Sequence, residues 1–223
     1  MKNIIVTAAL AVASLTASAA QASLLTDGSF EIATGGSTTS NSPWILAANK
    51  PNNVDVATQF QTAPWSSSDG NTGVWYKSFT GLGNGSNLTG TSILTQSVVA
   101  PQTGGYILTF DAAREANFLA DEWYVAIVSN TSGGGLQDTV DLLTAPMPPG
   151  NFGSVATQFS LALSGVDAGD TLSVFAVMTG GRNSNVNPQS AFLDNFDLNF
   201  VPEPASMALV LLSAVGIALI RRR

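Results

Sequence analysis

The stretch AFLDNFDLNF, residues 191–200, decides how the chain folds. Phe196, Leu198 and Phe200 alternate with Asn195, Asp197 and Asn199, the period of a strand with one face buried and the other wet. Working back along the chain, the same alternation or aromatic and β-branched content marks GVWYKSF (73–79), SILTQSVV (92–99), GYILTFDA (105–112) and EWYVAIVS (122–129). It continues in VATQFSLAL (155–163) and TLSVFAVM (171–178), with QDTVDLL (137–143) a weaker instance. Turn clusters separate them: TGLGNGSN, PQTGG, NTSGGG, PMPPGNFG and GGRNSNVNPQ. No window sustains a helical period, apart from a turn around residues 112–120. Many short strands with Gly, Pro and Asn between them predict an all-β, antiparallel sandwich, and eight or more strands favour a jelly roll. GGSTTSNS and WSSSDGNTG are low in complexity but flanked by Trp44 and Trp65, so they read as surface loops of one domain, residues 23–200.

Both ends read as traffic signals. Lys2, the apolar run from Ile4 to Leu15 and the small-x-small site Ala20-Gln21-Ala22 predict a signal peptide over residues 1–22, with Ser23 starting the mature chain. At the other end, Ala205 to Ile220 is 16 residues without charge, followed by Arg221, Arg222 and Arg223. A spanning helix needs about 20 apolar residues, and snorkelling arginines extend a shorter one. The positive-inside rule keeps the arginines cytoplasmic and the domain outside.

A bare anchor needs only the apolar run and the arginines. Pro202-Glu203-Pro204 is extra, and its two prolines hold the segment extended, the form a protease can read. This order of triplet, helix and basic cluster over residues 201–223 resembles the PEP-CTERM sorting signal of Gram-negative bacteria. The resemblance implies processing by an exosortase, a membrane cysteine protease. The domain would then be anchored transiently and passed to the cell surface or extracellular matrix, typically in bacteria that make exopolysaccharide. A plain membrane anchor is the alternative.

Composition excludes several functions. Residues 23–200 carry four basic side chains (Lys50, Lys77, Arg114, Arg182) against 14 acidic ones, a net charge of −10. Such a domain has no basic surface for nucleic acid and no polybasic patch for anionic lipid. The chain has no cysteine and no histidine. It therefore has no disulfides, no Ser-His or Cys-His nucleophile and no typical zinc site.

Three segments together resemble the galactose-binding-like jelly rolls, which include many carbohydrate-binding modules: LLTDGSFE (24–31), GGYILTFDAA (104–113) and AFLDNFDL (191–198). Asp27 stands where that family more often has asparagine. The resemblance implies a structural calcium ion held by Glu31 and Asp194 with backbone carbonyls of the first loop. Calcium takes six to eight oxygens, and an ion tying the two ends together suits a cysteine-free extracellular domain. Asp111, Asp27 and Asn195 are lesser candidates. The alternative is that both carboxylates serve without metal.

Sandwiches that bind sugar stack exposed aromatic rings on the apolar face of the ring and pair its hydroxyls with polar groups. Here the loops offer Trp44 and Trp65, with Arg114, Arg182 and Asn183 as polar partners, and Asn71, Asn117 and Asn185 behind them. Trp75, Tyr76 and Trp123 lie in strands, where core packing is the default. Catalysis on glycans needs two converging carboxylates. Asp121 and Glu122 are adjacent and Asp194 and Asp197 are three apart, so alternation predicts opposite faces for each pair. Glu115 with Asp121 or Glu122 is conceivable across a loop. The leading reading is a non-enzymatic surface or matrix protein that associates with extracellular polysaccharide in a biofilm or floc. A protein–protein matrix module and, last, a polysaccharide-acting enzyme are the alternatives.

Overall fold

The structure is a computed structural model that describes residues 22–33, 35–36, 38–39, 41–51, 55–63, 66–78, 89–130, 135–148, 156–182 and 189–202. Residues 1–21, Trp65, Asn183, Glu203, Pro204 and Arg221–Arg223 lie outside these, and so does the apolar run of the tail. Among the described residues no helix is long and apolar enough to cross a membrane.

Among the described residues ten strands form: β1 Ile45–Ala48, β2 Thr58–Thr62, β3 Thr72–Ser78, β4 Gly90–Val99, β5 Gly104–Arg114, β6 Glu122–Ser129, β7 Leu136–Asp141, β8 Thr157–Val166, β9 Thr171–Gly181 and β10 Gln189–Val201. They pair antiparallel in two five-stranded sheets, ordered β1-β4-β9-β6-β7 and β2-β3-β10-β5-β8, which is the expected jelly-roll sandwich. The segment expected to turn at residues 112–120 instead continues β5 as far as Arg114. It bends only afterwards, where Phe118 N donates to Glu115 O at 3.1 Å. The first residues of the domain close the sandwich: Leu24 N donates to Leu198 O at 2.9 Å, and Ser23 Oγ accepts Leu198 N at 3.1 Å.

Alternation sends one set of side chains from each sheet into a shared core. Trp123, Val125 and Ile127 of β6 meet Tyr76 of β3 and Leu108 and Phe110 of β5, all fully buried. The rings of Tyr76 and Trp123 lie 5.9 Å apart, joining the two layers. Thr58 Oγ1 donates to Ser92 Oγ at 2.6 Å, pairing two buried hydroxyls of β2 and β4, one from each sheet.

The outer faces of the two sheets differ, and this positions the site. On the β2-β3-β10-β5-β8 sheet the outward residues of β2, β3 and β10 are covered: Gln59, Lys77, Phe192 and Asp194 are buried, while Ile107 of β5 and Gln158, Ser160 and Ala162 of β8 are exposed. Lys77 is fully enclosed, donating to Asp55 Oδ2 at 2.7 Å and Gln59 Oε1 at 2.8 Å, its ammonium 4.2 Å from the centre of the Trp75 ring. Burial lowers its pKa, and Asp55 opposes that shift. The outer face of the other sheet is open.

Candidate functional site

Register alone lays out the open face. Tyr124 of β6 pairs with Asp141 of β7 on one side and Val177 of β9 on the other, and Val177 pairs with Ile93 of β4. The next row down is Thr139, Ala126, Phe175 and Thr95, and the row beyond it is Gln137, Val128, Ser173 and Ser97. Directly paired residues share a face, so all twelve point away from the core that Trp123, Val125 and Ile127 fill. Ala126, Val128, Val177 and Ser173 are short, and the longer side chains around them leave a trough of about 680 Å³. Tyr124 and Phe175 are the half-exposed aromatics in it. A second hollow of about 430 Å³ shares Ile93 and Val177 with the first and reaches Ala47 of β1. The depression therefore crosses all five strands, about 19 Å at the usual strand spacing.

Polar groups frame the rings. Glu122 Oε2 accepts Thr179 Oγ1 at 2.9 Å. Asp141 accepts Leu143 N and Thr144 Oγ1, each at 2.8 Å, and so fixes the turn after β7. Asp121 pairs with Arg182 at the rim, and both side chains are more than half exposed. Gly180 lets this happen: its φ is +61°, and a Cβ there would overlap the Asp121 carboxylate. Two flat rings flanked by carboxylates, a hydroxyl and an amide can stack on a flat ligand and accept hydrogen bonds from its edge.

Of the residues expected to bind that are described, only Arg182 reaches this trough, and it does so through Asp121. Trp44 is 3% exposed and belongs to the core, a correction to its expected role as a platform. Its ring lies 5.3 Å from Phe30 and 5.1 Å from Phe196, and its Nε1 donates to Asp27 O at 2.9 Å. Ring and N–H are both satisfied inside, so no face is left for a ligand. Arg114 donates to Leu143 O at 2.9 Å at the end of β5, in a separate small hollow. Glu115 is spoken for by Ser190 N at 2.7 Å. Trp65 and Asn183 lie outside the described residues. Sequence reasoning missed Tyr124 and Phe175. Tyr124 follows a core tryptophan, so alternation alone could have turned it outward. Phe175 sits among apolar neighbours in TLSVFAVM, which hides its direction.

Glu31 and Asp194 come together around one segment, residues 66–72. Asp194 Oδ2 accepts Ser68 N at 2.6 Å, Asp69 N at 3.0 Å and Ser68 Oγ at 3.3 Å, while Oδ1 accepts Asn195 N at 2.7 Å. Glu31 Oε1 accepts Asn71 N at 2.8 Å and Thr72 N at 2.7 Å. Burial pushes the Asp194 pKa up to about 7, against the pull of its bonds to Asp69, Ser68 and Asn195. Asp111 joins the edge of this cluster, where its Oδ2 accepts Ser68 Oγ at 2.7 Å and Asn195 Nδ2 at 3.3 Å. A calcium ion takes a shell of oxygens, and here three N–H groups and the Ser68 hydroxyl occupy most of the acceptor positions of Asp194. Among the described residues no three acidic side chains gather as a metal cluster. In this arrangement the two carboxylates act as a clasp on the loop.

Comparison with known proteins agrees with this picture at both levels. Residues 200–223 match the PEP-CTERM protein-sorting motif, which marks an exported, surface-directed protein. No curated protein matches the chain. Among solved structures, the carbohydrate-binding module TmCBM61, determined in complex with β-1,4-galactotriose, is 17% identical. That match covers 81% of this chain and 100% of that one, with a TM-score of 0.51. A putative sugar binding protein from Bacteroides thetaiotaomicron VPI-5482 is 11% identical over 80% of this chain and 100% of its own, with a TM-score of 0.47. The enzymatically active domain of tailspike protein 4 of bacteriophage CBA120 is 11% identical over 80% of this chain and 21% of its own, with a TM-score of 0.49. At such identities the likeness is one of fold. The chain thus ends in a PEP-CTERM sorting motif, and the domain before it has the β-sandwich fold found among carbohydrate-binding modules.

Proposed function

We propose that this is a non-catalytic, exported protein that binds extracellular polysaccharide in the trough across β7, β6, β9, β4 and β1. Its tail holds it in the membrane until an exosortase cuts it, and the released domain then resides in the exopolysaccharide of a biofilm or floc. The observation that carries the binding reading is the placement of Tyr124 and Phe175 in an open trough with acceptors on its walls. A pyranose ring offers an apolar C–H face to such rings and hydroxyls to Glu122, Thr139, Gln137 and Asp141. Galactotriose in the complex with TmCBM61 is a precedent for sugar on this fold, though not for the sugar here.

The test is retention of the mature protein, purified from its host, on the host's own extracted exopolysaccharide. Tyr124→Ala and Phe175→Ala should each weaken retention by roughly 5- to 30-fold, the loss of about 1–2 kcal/mol of stacking and burial. Wild-type protein that is not retained at all would sink the reading and favour a matrix module whose partner is protein.

A further inference from the structure

We infer that the trough selects polysaccharides without acidic groups, a conclusion that rests on the binding reading above. Every charged side chain lining it is a carboxylate: Asp121, Glu122 and Asp141. The nearby cation, Arg182, is engaged at the rim through its Nη1 by Asp121 and by the Gly180 carbonyl at 3.3 Å, so Asp121 offsets its charge there. Glu122 and Asp141 bracket Tyr124: Asp141 is its cross-strand partner on β7, and Glu122 lies two residues before it on the same face of β6. A uronate or sulfate ring seated on Tyr124 would bring its anion toward both. Hydroxyls in the same place would donate to them. The β4–β1 half of the depression, with Ala47, Asn49, Thr91 and Ile93, carries no charge at all and gives an anion no compensation.

The rest of the domain acts in the same sense. Residues 23–200 carry a net charge of −10, so an anionic polymer is repelled before it docks. At low salt this combination should separate acidic from neutral chains by about tenfold or more, since like charges a few ångströms apart at a protein surface repel strongly. The gap should close as salt rises and the screening length falls below the size of the trough. The host matrix supplies the comparison if its polysaccharide is split by anion exchange into neutral and acidic fractions. Part of the acidic fraction is then carboxyl-reduced, turning uronates into neutral sugars on an unchanged backbone.

The mature protein should retain the neutral fraction, ignore the acidic one at low salt and gain affinity for it after reduction. Glu122→Gln, which keeps size and hydrogen bonding, should raise retention of the unreduced acidic fraction several-fold, and adding Asp141→Asn should raise it further. Equal or tighter binding of the acidic fraction by wild-type protein would overturn the selectivity while leaving polysaccharide binding intact. Discrimination that survives both substitutions would overturn its assignment to these carboxylates. Failure to hold either fraction would remove the binding reading and this inference with it.

Discussion

Glu31 and Asp194 hold the two halves of one loop: Asp194 accepts the N–H groups of Ser68 and Asp69, and Glu31 accepts those of Asn71 and Thr72. One residue comes from the first described segment and the other from the last strand, so the loop between β2 and β3 is pinned from both ends of the domain. Four backbone donors at and before the start of β3 find carboxyl acceptors here.

Asp194 should make stability depend on pH in an uncommon direction. Its folded pKa of about 7 lies above the ordinary 3.8, so between pH 4 and 7 the folded state keeps a proton that the unfolded state releases. Stability contributed at this position is therefore fullest below pH 4, falls as pH rises to 7 and is level above. Asp194→Asn should flatten that part of the melting-temperature profile relative to wild type. A profile that the substitution leaves unchanged would contradict the assignment. Asp194→Ala, which strands the Ser68 and Asp69 donors, should cost about 2–4 kcal/mol in denaturant unfolding.

If N–H groups rather than an ion satisfy these carboxylates, chelation changes nothing. Thermal melts of the mature protein with EDTA and with excess calcium should coincide. A melting temperature that drops in EDTA, with the drop lost in Asp194→Ala, would restore calcium as the holder of the two ends.

Trp44→Ala should destabilise the fold by about 3–5 kcal/mol, the usual cost of emptying a buried aromatic site. Below its lowered melting temperature the variant should still be retained on polysaccharide, because Trp44 packs on Phe30 and Phe196 rather than lining the trough. Loss of retention by a variant with a native melt would return Trp44 to the binding surface.

Gly28 is a position of close approach: its carbonyl accepts Phe196 N at 2.9 Å, and a Cβ on it would overlap the Phe196 carbonyl oxygen. Gly28→Ala should lower stability by about 1–3 kcal/mol through displacement of the bulged part of β10. An unaltered melt would mean that the N-terminal segment docks more loosely than described.

The tail makes the last prediction. Protein recovered from the host surface should have an intact mass that excludes Arg221, Arg222 and Arg223. A mass that includes them would identify a permanent anchor.

Most strands were legible because their alternation is strong, and the two that were not have identifiable reasons. Ile45–Ala48 is four residues with no polar alternation, and Thr58–Thr62 has a single aromatic between glutamines, beside turn-forming sequence. Face assignments failed where the period broke. Asp194 pairs with Asp111 and Asp197 with Thr109, so two residues of β10, Asn195 and Phe196, oppose the single Phe110 of β5. Asn195, at φ +55°, absorbs the extra residue in a bulge and puts the two aspartates on one face instead of two. Spacing alone cannot reveal a bulge. The trough was invisible for another reason: it depends on which side chains of neighbouring strands are short and which are long, a matter of register that local alternation does not report.

The place of β10 has a bearing on how such a domain gets across a membrane. It is the last of the described strands along the chain, yet it lies between β3, which pairs with Gln189–Leu193, and β5, which pairs with it from Ala191 to Val201. Until Val201 has left the ribosome, that layer has a gap at its centre, and no native sheet can close around it. Strand order therefore makes completion of this layer wait for the segment that directly precedes the sorting motif.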